Sequence, residues 1–272
     1  MKLYTPDQVQ SIHSQTFAYL IIDEVDHVLQ LTLNRESKRN ALHPQLVNEI
    51  AFAMHYAHFS PDIWMITLSG KGKVFCAGAD LKAMAGIIEE NNSSIPQPNG
   101  EILIGELFNT VHKPIITKVT GDVYAGGFFF LAGSHIVVSQ DDVKFGLPEV
   151  KRGLYPFQVM QALLQVMPAR KVIDWCIRGY NLPVDEAAQY GLVTQVCSPD
   201  KIDDVVMGII EELKQNSPSA IRMGLQSYSH IQPSAAEHKY LFDMLQKTIQ
   251  SEDGIEGLKA FREKRKAVWK GM

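Results

Sequence analysis

Two stretches of small residues stand where the main chain could contact a ligand. Residues 74–82 lead from a strand-like run through Gly78 and Ala79 into a helix start, and residues 121–131 place Gly126 and a second glycine before a bulky apolar block. Glycines permit a sharp bend and let a ligand approach the backbone closely. The first N–H groups of the following helix can then bind an anion or a developing oxyanion. Close packing of a turn would produce the same short patterns, so this alternative stands beside the chemical one.

The segments around these stretches alternate between strand-like and helix-like patterns. Residues 18–22 and 28–33 predict a hairpin, and His43-Pro44 opens a helix with one apolar face. Further strands are predicted at residues 63–68, 114–119 and 135–139. This alternation favours a layered α/β core with parallel strands.

The second half of the sequence is mostly helical in pattern from about Gln158 onward, with one short strand predicted at residues 192–196. Helix starts are predicted at Pro199, Pro218, Pro233 and Ser251. We therefore expect a core domain at residues 16–200 and a helical C-terminal region at residues 201–272. Residues 1–15 are expected to be loosely attached.

The composition is that of a soluble globular protein and excludes several classes of function. Of the 272 residues, 46% are apolar and 21% charged, and the formal net charge of −4 gives no basic field for nucleic acid or an anionic membrane. The three cysteines are widely spaced, so neither a disulfide framework nor a paired metal site is predicted. No apolar run reaches the roughly 18 residues of a membrane span, and no signal peptide is visible. These features predict a cytoplasmic location.

Three motifs in a fixed order resemble those of one family. Residues 75–82, residues 121–131, and Pro148-Glu149 with residues 153–156 resemble the three acyl-CoA motifs of the crotonase superfamily, the enoyl-CoA hydratase/isomerase family. Supporting stretches stand at residues 34–42, 185–193 and 261–265. Each motif alone is weak, but the ordered set covers residues from about 17 to 268.

The resemblance implies an α/β fold, a crotonase-like spiral of ββα units with a helical C-terminal trimerisation region. It implies homotrimers, often paired into hexamers, in fatty acid metabolism. The ligand would be an acyl-CoA thioester, bound as a substrate, and neither a cofactor nor a metal is predicted. The thioester carbonyl would lie between the backbone N–H groups of Ala79 and Gly126. Two such donors stabilise an enolate oxygen, and loss of one typically raises the barrier by ~3–4 kcal/mol.

The resemblance also identifies the expected base. Many hydratases of this family hold a water between two glutamates. The first of these positions lies three residues after Gly126 and is Phe129 in this sequence. The second lies directly after the proline of the third motif and is Glu149. A single carboxylate can carry a proton between C2 and C4 of one substrate, and burial in an apolar pocket raises its pKa toward the working pH. Isomerisation of an enoyl-CoA double bond is therefore the predicted reaction, with Phe129, Tyr124 and Tyr155 at the acyl pocket.

The coenzyme A moiety has its own candidate residues. Lys38 and Arg39 stand on the turn where the family contacts a CoA phosphate or ribose, and Lys82 follows the first motif. Phe261 and Lys264 match the C-terminal element that commonly reaches the nucleotide. The remaining candidates, in the first motif, are Ala77, Ala79 and Asp80. For the lysines, solvated surface charge is the alternative.

Other reactions remain open on the residues alone. Enoyl-CoA hydration is one, and decarboxylation of an acyl thioester is another, since loss of CO2 also gives an enolate. A CoA-binding protein with reduced catalysis is a third. A peptidase needs a nucleophile, and no Ser or Cys stands at residues 126–130, so this class is set aside.

Overall fold

The computed structural model describes residues 3–87, 89–230 and 235–270, and strands alternate with helices over the first two hundred residues. The strands are β1 (Leu20–Val25), β2 (Val28–Leu33), β3 (Met65–Gly70), β4 (Val74–Cys76), β5 (Ile115–Val119), β6 (Asp122–Tyr124), β7 (Ile136–Gln140), β8 (Phe145–Gly146), β9 (Asn181–Leu182) and β10 (Gln195–Cys197). The helices are α1 (Pro6–Gln10), α2 (Pro44–Phe59), α3 (Leu81–Met84), α4 (Ile104–Leu107), α5 (Phe128–Ala132), α6 (Phe157–Leu163), α7 (Ala169–Arg178), α8 (Val184–Gln189), α9 (Ile202–Lys214), α10 (Pro218–His230), α11 (Ala235–Gln250) and α12 (Glu252–Glu263).

The strands form two sheets, and most neighbours are parallel. The large sheet has the order β1-β2-β3-β5-β7-β10, and the small sheet has the order β4-β6-β8-β9. The antiparallel pairs are β1 with β2 and β8 with β9. The predicted hairpin is confirmed: Asp26 and His27 join β1 to β2 with φ values of 47° and 67°. Two successive positive φ values match the twist of the flanking strands.

Both faces of the central strands β2, β3, β5 and β7 are largely covered, which explains their runs of apolar residues. Val28, Met65, Ile116 and Val138 pack against one side of α9 in a small apolar cluster. The neighbouring residues on the same strands point the other way, into the main core, because side chains alternate along a strand. The predicted mixed α/β core with parallel strands is thus confirmed.

The N-terminal segment is part of this core, so the expectation of a loosely attached lead-in is wrong for its described residues. Leu3, Tyr4 and Ile12 are at most 1% exposed. The Tyr4 ring packs edge-on against Phe52 of α2, with 5.1 Å between ring centroids, and its hydroxyl donates to Asn48. Burial of these large side chains against the core stabilises the attachment of the segment.

The chain between β5 and α5 also differs from the prediction of a simple turn. Residues 122–124 form β6 in the small sheet, and a 3-10 turn, Ala125–Gly127, precedes α5. Gly121 makes the crossover from one sheet to the other, where a Cβ would lie 2.8 Å from the carbonyl oxygen of Lys73. The glycine is needed for close approach to the neighbouring main chain.

The described elements after β10 are helical. Pro218 begins α10 as predicted, and the side chain of Ser251 caps α12 by accepting from the N–H of Gly254. The helix start predicted at Pro233 lies outside the described residues. Within the described ranges no helix combines the length and the apolar character that crossing a membrane requires.

Candidate active site

Two main-chain turns meet at the first two motifs. A Cβ on Gly78, whose φ is +85°, would lie 2.5 Å from the Cβ of Ala125 and 3.0 Å from the nitrogen of Gly126. A Cβ on Gly126 would in turn lie 3.7 Å from the nitrogen of Ala79. Only glycine combines this positive φ with such close contact. The structure therefore brings the backbone nitrogens of Ala79 and Gly126 side by side.

Local backbone geometry directs both N–H groups away from their own elements. Leu42 forms a parallel bridge opposite Ala79, in which its N–H donates to Gly78 at 2.8 Å and its carbonyl accepts from Asp80 at 3.3 Å. The N–H of Ala79 lies on the other side of that bridge. Gly126 is the second residue of a 3-10 turn, Ala125–Gly127, in which the N–H of Phe128 is the first to donate to Ala125. The N–H of Gly126 comes before that bond and has no acceptor within the turn. The two donors can hold one carbonyl oxygen between them.

Both residues line a cavity of about 130 Å³, which we call the Glu149 cavity. Its walls are mainly apolar, and they come from the first two motifs, the third motif with α6, and α11. The lining includes Ala79, Gly126, Phe129, Glu149, Arg152, Tyr155 and Leu245. A cavity of this kind shields a reacting group from water, which strengthens hydrogen bonds inside it.

Glu149 begins a 3-10 helix, Glu149–Arg152, directly after Pro148. Its Oε2 is buried and has no hydrogen-bond partner among the described residues. Burial raises the pKa of this carboxyl to about 7, although its own backbone N–H and the charge of Arg152 oppose the shift. A carboxyl with this pKa can both accept and return a proton near neutral pH.

Phe129 lies in the same cavity and is 7% exposed. It belongs to the first turn of α5, and its neighbours Phe128 and Phe130 point into the core at 0% exposure. Of the described residues that line the Glu149 cavity, Glu149 is the sole acid. The cavity thus contains one carboxylate and a phenyl ring.

The two tyrosines expected at the acyl pocket are placed differently. Tyr155 lines the cavity, where its hydroxyl donates to the sulfur of Met160 at 3.6 Å. Tyr124 is missing from the described lining of that cavity, and its hydroxyl donates to Asp122 at 2.9 Å. The hydroxyl of Tyr124 is therefore occupied within β6.

A second cavity, of about 630 Å³, shares Leu81, Met84 and Leu154 with the first. We call it the Phe261 cavity, after the residue of α12 that lines it, and Lys82 lines it as well. Its walls are largely apolar and come from α3, α11 and α12. The shared residues place the two cavities next to each other, as an acyl group and the rest of a long ligand would require.

The remaining candidates for coenzyme A lie around these cavities. Lys38 is exposed and forms an ion pair with Glu89 at 2.9 Å. Arg39, also exposed, accepts from the N–H of Ala77 at 3.0 Å through its carbonyl. Lys264 ends α12 in a left-handed conformation and is exposed, outside the described lining of both cavities.

Asp80 has local partners in the structure. Its carboxylate caps α3 by accepting from the N–H groups of Lys82 and Ala83, and it pairs with the buried Arg35 at 2.7 Å. This pair ties residues 79–80 to the turn after β2. The side chain of Asp80 therefore holds the main chain next to Ala79 in place.

Sequence reasoning missed two residues of the site. Arg152 lines the Glu149 cavity three residues after the glutamate, a spacing that stacks side chains in a 3-10 helix. Leu245 of α11 closes the same cavity from the C-terminal region. The pattern Glu-x-x-Arg after proline was a usable signal for Arg152, whereas no local signal pointed to Leu245.

Comparisons with known proteins identify the family. The family model described as enoyl-CoA hydratase/isomerase matches residues 23–272. The chain is 28% identical to a mevalonyl-coenzyme A hydratase of Aspergillus fumigatus, over 95% of this chain and 97% of that protein. It is 30% identical to a carnitinyl-CoA dehydratase of Escherichia coli, over 90% of this chain and 95% of that protein.

The fold has close relatives among solved structures. A carnitinyl-CoA hydratase from Mycobacterium avium superposes with a TM-score of 0.82 at 24% identity, over 94% of this chain and all of that one. Its likeness establishes the fold, and the match of the family model to nearly the whole chain establishes the family. This protein therefore belongs to the enoyl-CoA hydratase/isomerase family of the crotonase superfamily.

Proposed function

We propose that this chain isomerises the double bond of enoyl-CoA thioesters, with Glu149 as its single base. The observation that carries the proposal is the content of the Glu149 cavity. Among its described lining residues Glu149 is the one acid, and Phe129 stands where a second glutamate would help to hold a water. A phenyl ring has no hydrogen bond to offer a water, whereas proton transfer within one substrate needs no water at all.

The proposed reaction uses two backbone N–H donors and one carboxylate. The thioester oxygen accepts from the N–H groups of Ala79 and Gly126, and the ionised Glu149 removes a proton from C2 of a 3-enoyl-CoA. The electron pair from that C–H bond moves toward the thioester oxygen and forms a dienolate, which the two donors stabilise. Glu149 then returns the proton at C4, and the double bond comes to lie between C2 and C3. No atom is gained or lost.

The pKa of Glu149, near 7, suits both halves of this cycle. A much lower pKa would make the carboxylate too weak a base for C2, and a much higher one would leave it protonated. The apolar wall that Phe129 provides contributes to this value by excluding water.

The coenzyme A moiety is proposed to bind across the Phe261 cavity and the adjacent surface. Lys82 and Phe261 line that cavity, and Lys38 and Arg39 are exposed on the turn that contacts Ala77. Lysine and arginine suit the CoA phosphates, and main chain around Ala77 suits the adenine. Lys264 and the backbone of Asp80 complete the set carried over from the family.

The proposal includes assembly into trimers or hexamers. Ile177, Met207 and Met223 are each more than half exposed in the single chain, at 59%, 53% and 62%. Burial of such side chains favours association. Light scattering coupled to size-exclusion chromatography checks the assembly.

A second candidate is hydration or dehydration of an enoyl-CoA. The names of the relatives favour it, since the A. fumigatus protein is called a hydratase and the E. coli protein a dehydratase. In this chain a hydratase would have to position its water without a second carboxylate among the described residues of the Glu149 cavity.

The test compares three thioesters: a 3-enoyl-CoA, a 2-enoyl-CoA and a malonyl-type CoA, each followed by product analysis. The isomerase proposal expects conversion of the 3-enoyl-CoA to the 2-enoyl-CoA in excess of the hydrated product. Glu149→Gln should lower the rate of this conversion by at least about 100-fold and should retain CoA binding. Full activity in that variant would exclude Glu149 as the base.

The other outcomes identify the alternatives. Faster formation of a 3-hydroxyacyl-CoA identifies a hydratase, and release of CO2 identifies a decarboxylase. Tight binding of CoA without turnover of any thioester identifies a binding protein.

A further inference from the structure

Arg152 is a cation in a cavity that otherwise has mainly apolar walls. It lies one 3-10 turn after Glu149 and lines the same cavity. Its guanidinium carbon lies 4.3 Å from the ring centroid of Phe261. Burial lowers the pKa of Arg152, and the charge of Glu149 partly restores it. The guanidinium stays charged in proteins at any working pH, so the cavity contains a fixed positive charge.

No carboxylate of the described residues forms an ion pair with Arg152, and its side chain donates no hydrogen bond to them. Its stacking on Phe261 occupies a face of the guanidinium and leaves the N–H groups at the edge. Glu149 is the acid that acts on it electrostatically, beyond ion-pair distance. An anionic ligand would therefore bind strongly to this partly buried guanidinium, because it would accept hydrogen bonds from the unused N–H groups and neutralise the charge.

A second buried arginine shows what this chain does when a guanidinium has a structural role. Arg35 is 4% exposed, and it pairs with Asp80 at 2.7 Å and with Glu89 at 3.2 Å. Two of the protein's own carboxylates thus neutralise Arg35. Arg152 has no such pair among the described residues, although it lies between the cavity and α12.

We propose that Arg152 binds a carboxylate carried by the acyl chain of the substrate. The substrate class would be acyl-CoA thioesters of dicarboxylic acids, in which the far end of the acyl group is anionic. This inference rests on the proposed acyl-CoA function, because it takes the thioester carbonyl to lie on Ala79 and Gly126. From there the acyl chain passes Glu149 and reaches Arg152 within the same cavity. A planar guanidinium matches a carboxylate with two parallel hydrogen bonds.

A phosphate of coenzyme A is the other anion with this chemistry. The location favours the acyl carboxylate, since Arg152 lines the cavity that contains the base and is absent from the described lining of the Phe261 cavity. The two sources make different predictions for a ligand that has the phosphates and lacks the acyl carboxylate.

The experiment measures binding by calorimetry with saturated thioesters that cannot be isomerised. Three pairs match in chain length: succinyl-CoA with butanoyl-CoA, glutaryl-CoA with pentanoyl-CoA, and adipoyl-CoA with hexanoyl-CoA. The wild-type chain should bind the carboxylate member of at least one pair tighter than its methyl partner. Arg152→Met should weaken binding of that carboxylate by roughly 10- to 100-fold, and should change binding of the methyl partner by less than about twofold.

Matched variants isolate the role of the charge. Lys151→Met removes the neighbouring exposed cation, which lines neither cavity, and should leave all six affinities unchanged. Arg152→Lys keeps the charge and should retain part of the preference for the carboxylate. Thermal melting of Arg152→Met shows whether the variant is folded, and the methyl thioesters provide its internal control.

Three results would overturn the proposal. Tighter binding of the methyl partner at all three lengths excludes an anion-binding pocket. Equal weakening of both partners and of free CoA in Arg152→Met assigns the contact to a CoA phosphate. If none of the thioesters binds the wild-type chain, the acyl-CoA function fails with it, whereas absence of turnover alone leaves the binding test intact.

Discussion

A Cβ on Gly257 would lie 2.1 Å from the carbonyl oxygen of Arg152. Gly257 belongs to α12, and Arg152 ends the 3-10 helix that begins with Glu149. Gly153 makes a similar contact with α12, since a Cβ there would lie 2.1 Å from the carbonyl oxygen of Asp253. The C-terminal helix thus packs main chain to main chain against the turn that presents the base.

Gly257→Ala should therefore displace this turn. The added methyl has no room, and overpacking of this kind costs about 1–3 kcal/mol. A displacement near 1 Å at a reacting group can lower the rate by about 100-fold. We expect a lower melting temperature and a fall of at least about tenfold in kcat/KM for the 3-enoyl-CoA.

Gly208→Ala is the matched control for that substitution. Gly208 lies in α9, and a Cβ there would meet no atom within 4 Å. Alanine in a helix interior should stabilise the chain by about 0.5–1 kcal/mol and leave kcat/KM unchanged. Equal activity of Gly257→Ala and the wild type would show that α12 does not position Glu149.

The pH dependence of kcat/KM should report the ionisation of Glu149. The base acts as a carboxylate, and its pKa in the free protein is about 7 because of burial. kcat/KM for a 3-enoyl-CoA should therefore rise about tenfold per pH unit below 7 and level off above it. Initial rates between pH 5 and 8.5 measure the profile, and an inflection near the ordinary glutamate value would contradict the assignment.

The same pKa predicts that Glu149 destabilises the folded chain at alkaline pH. The folded carboxyl binds its proton more tightly than the unfolded one, with a pKa of about 7 against 4.5. The tighter proton binding stabilises the folded state relative to the unfolded state. This stabilisation is fully present below pH 4.5 and is lost as the pH rises through 7. Glutamine cannot ionise, so Glu149→Gln should match the wild type near pH 4.5 and exceed it at pH 8 by up to about 3 kcal/mol.

Urea unfolding at the two pH values measures this difference. Glu90→Gln, at an exposed position, serves as the control and should differ little from the wild type at either pH. A Glu149→Gln chain that is less stable than the wild type at pH 8 would mean that the carboxylate has favourable partners in solution.

Phe129→Glu tests why one carboxylate favours isomerisation. The variant places a second acid in the Glu149 cavity, where two carboxylates can hold a water. We expect the ratio of hydration to isomerisation to rise by 10-fold or more, since a positioned general acid or base contributes about 10²–10⁴. Stability should fall, because residue 129 is buried and a polar carboxyl replaces an apolar ring there.

Phe129→Leu keeps the cavity apolar and should preserve the wild-type ratio. Both products are followed by chromatography from the same 2-enoyl-CoA and 3-enoyl-CoA. Wild-type hydration as fast as isomerisation, or an unchanged ratio in Phe129→Glu, would count against the role given to Phe129.

Local patterns in the sequence were enough to predict several elements and the family. Apolar alternation placed β2 at Val28–Leu33, and His43-Pro44 marked the start of α2, because strand and helix periods are local properties. The order of three motifs identified the family, which the match of residues 23–272 confirms. The roles of Ala79, Gly126 and Glu149 were predicted from the same motifs and stay predictions.

Distant contacts in the fold bring these residues into one cavity and close it. Arg152 faces the cavity of Glu149, where none of the described carboxylates pairs with it, and Leu245, nearly one hundred residues later, completes the wall. Leu3 and Tyr4 are buried although nothing local distinguished them from a loose end. Such contacts depend on the free energy of packing distant segments together, which no short pattern encodes. The pKa of Glu149 has the same origin, since it is raised by burial of the carboxyl in the folded chain.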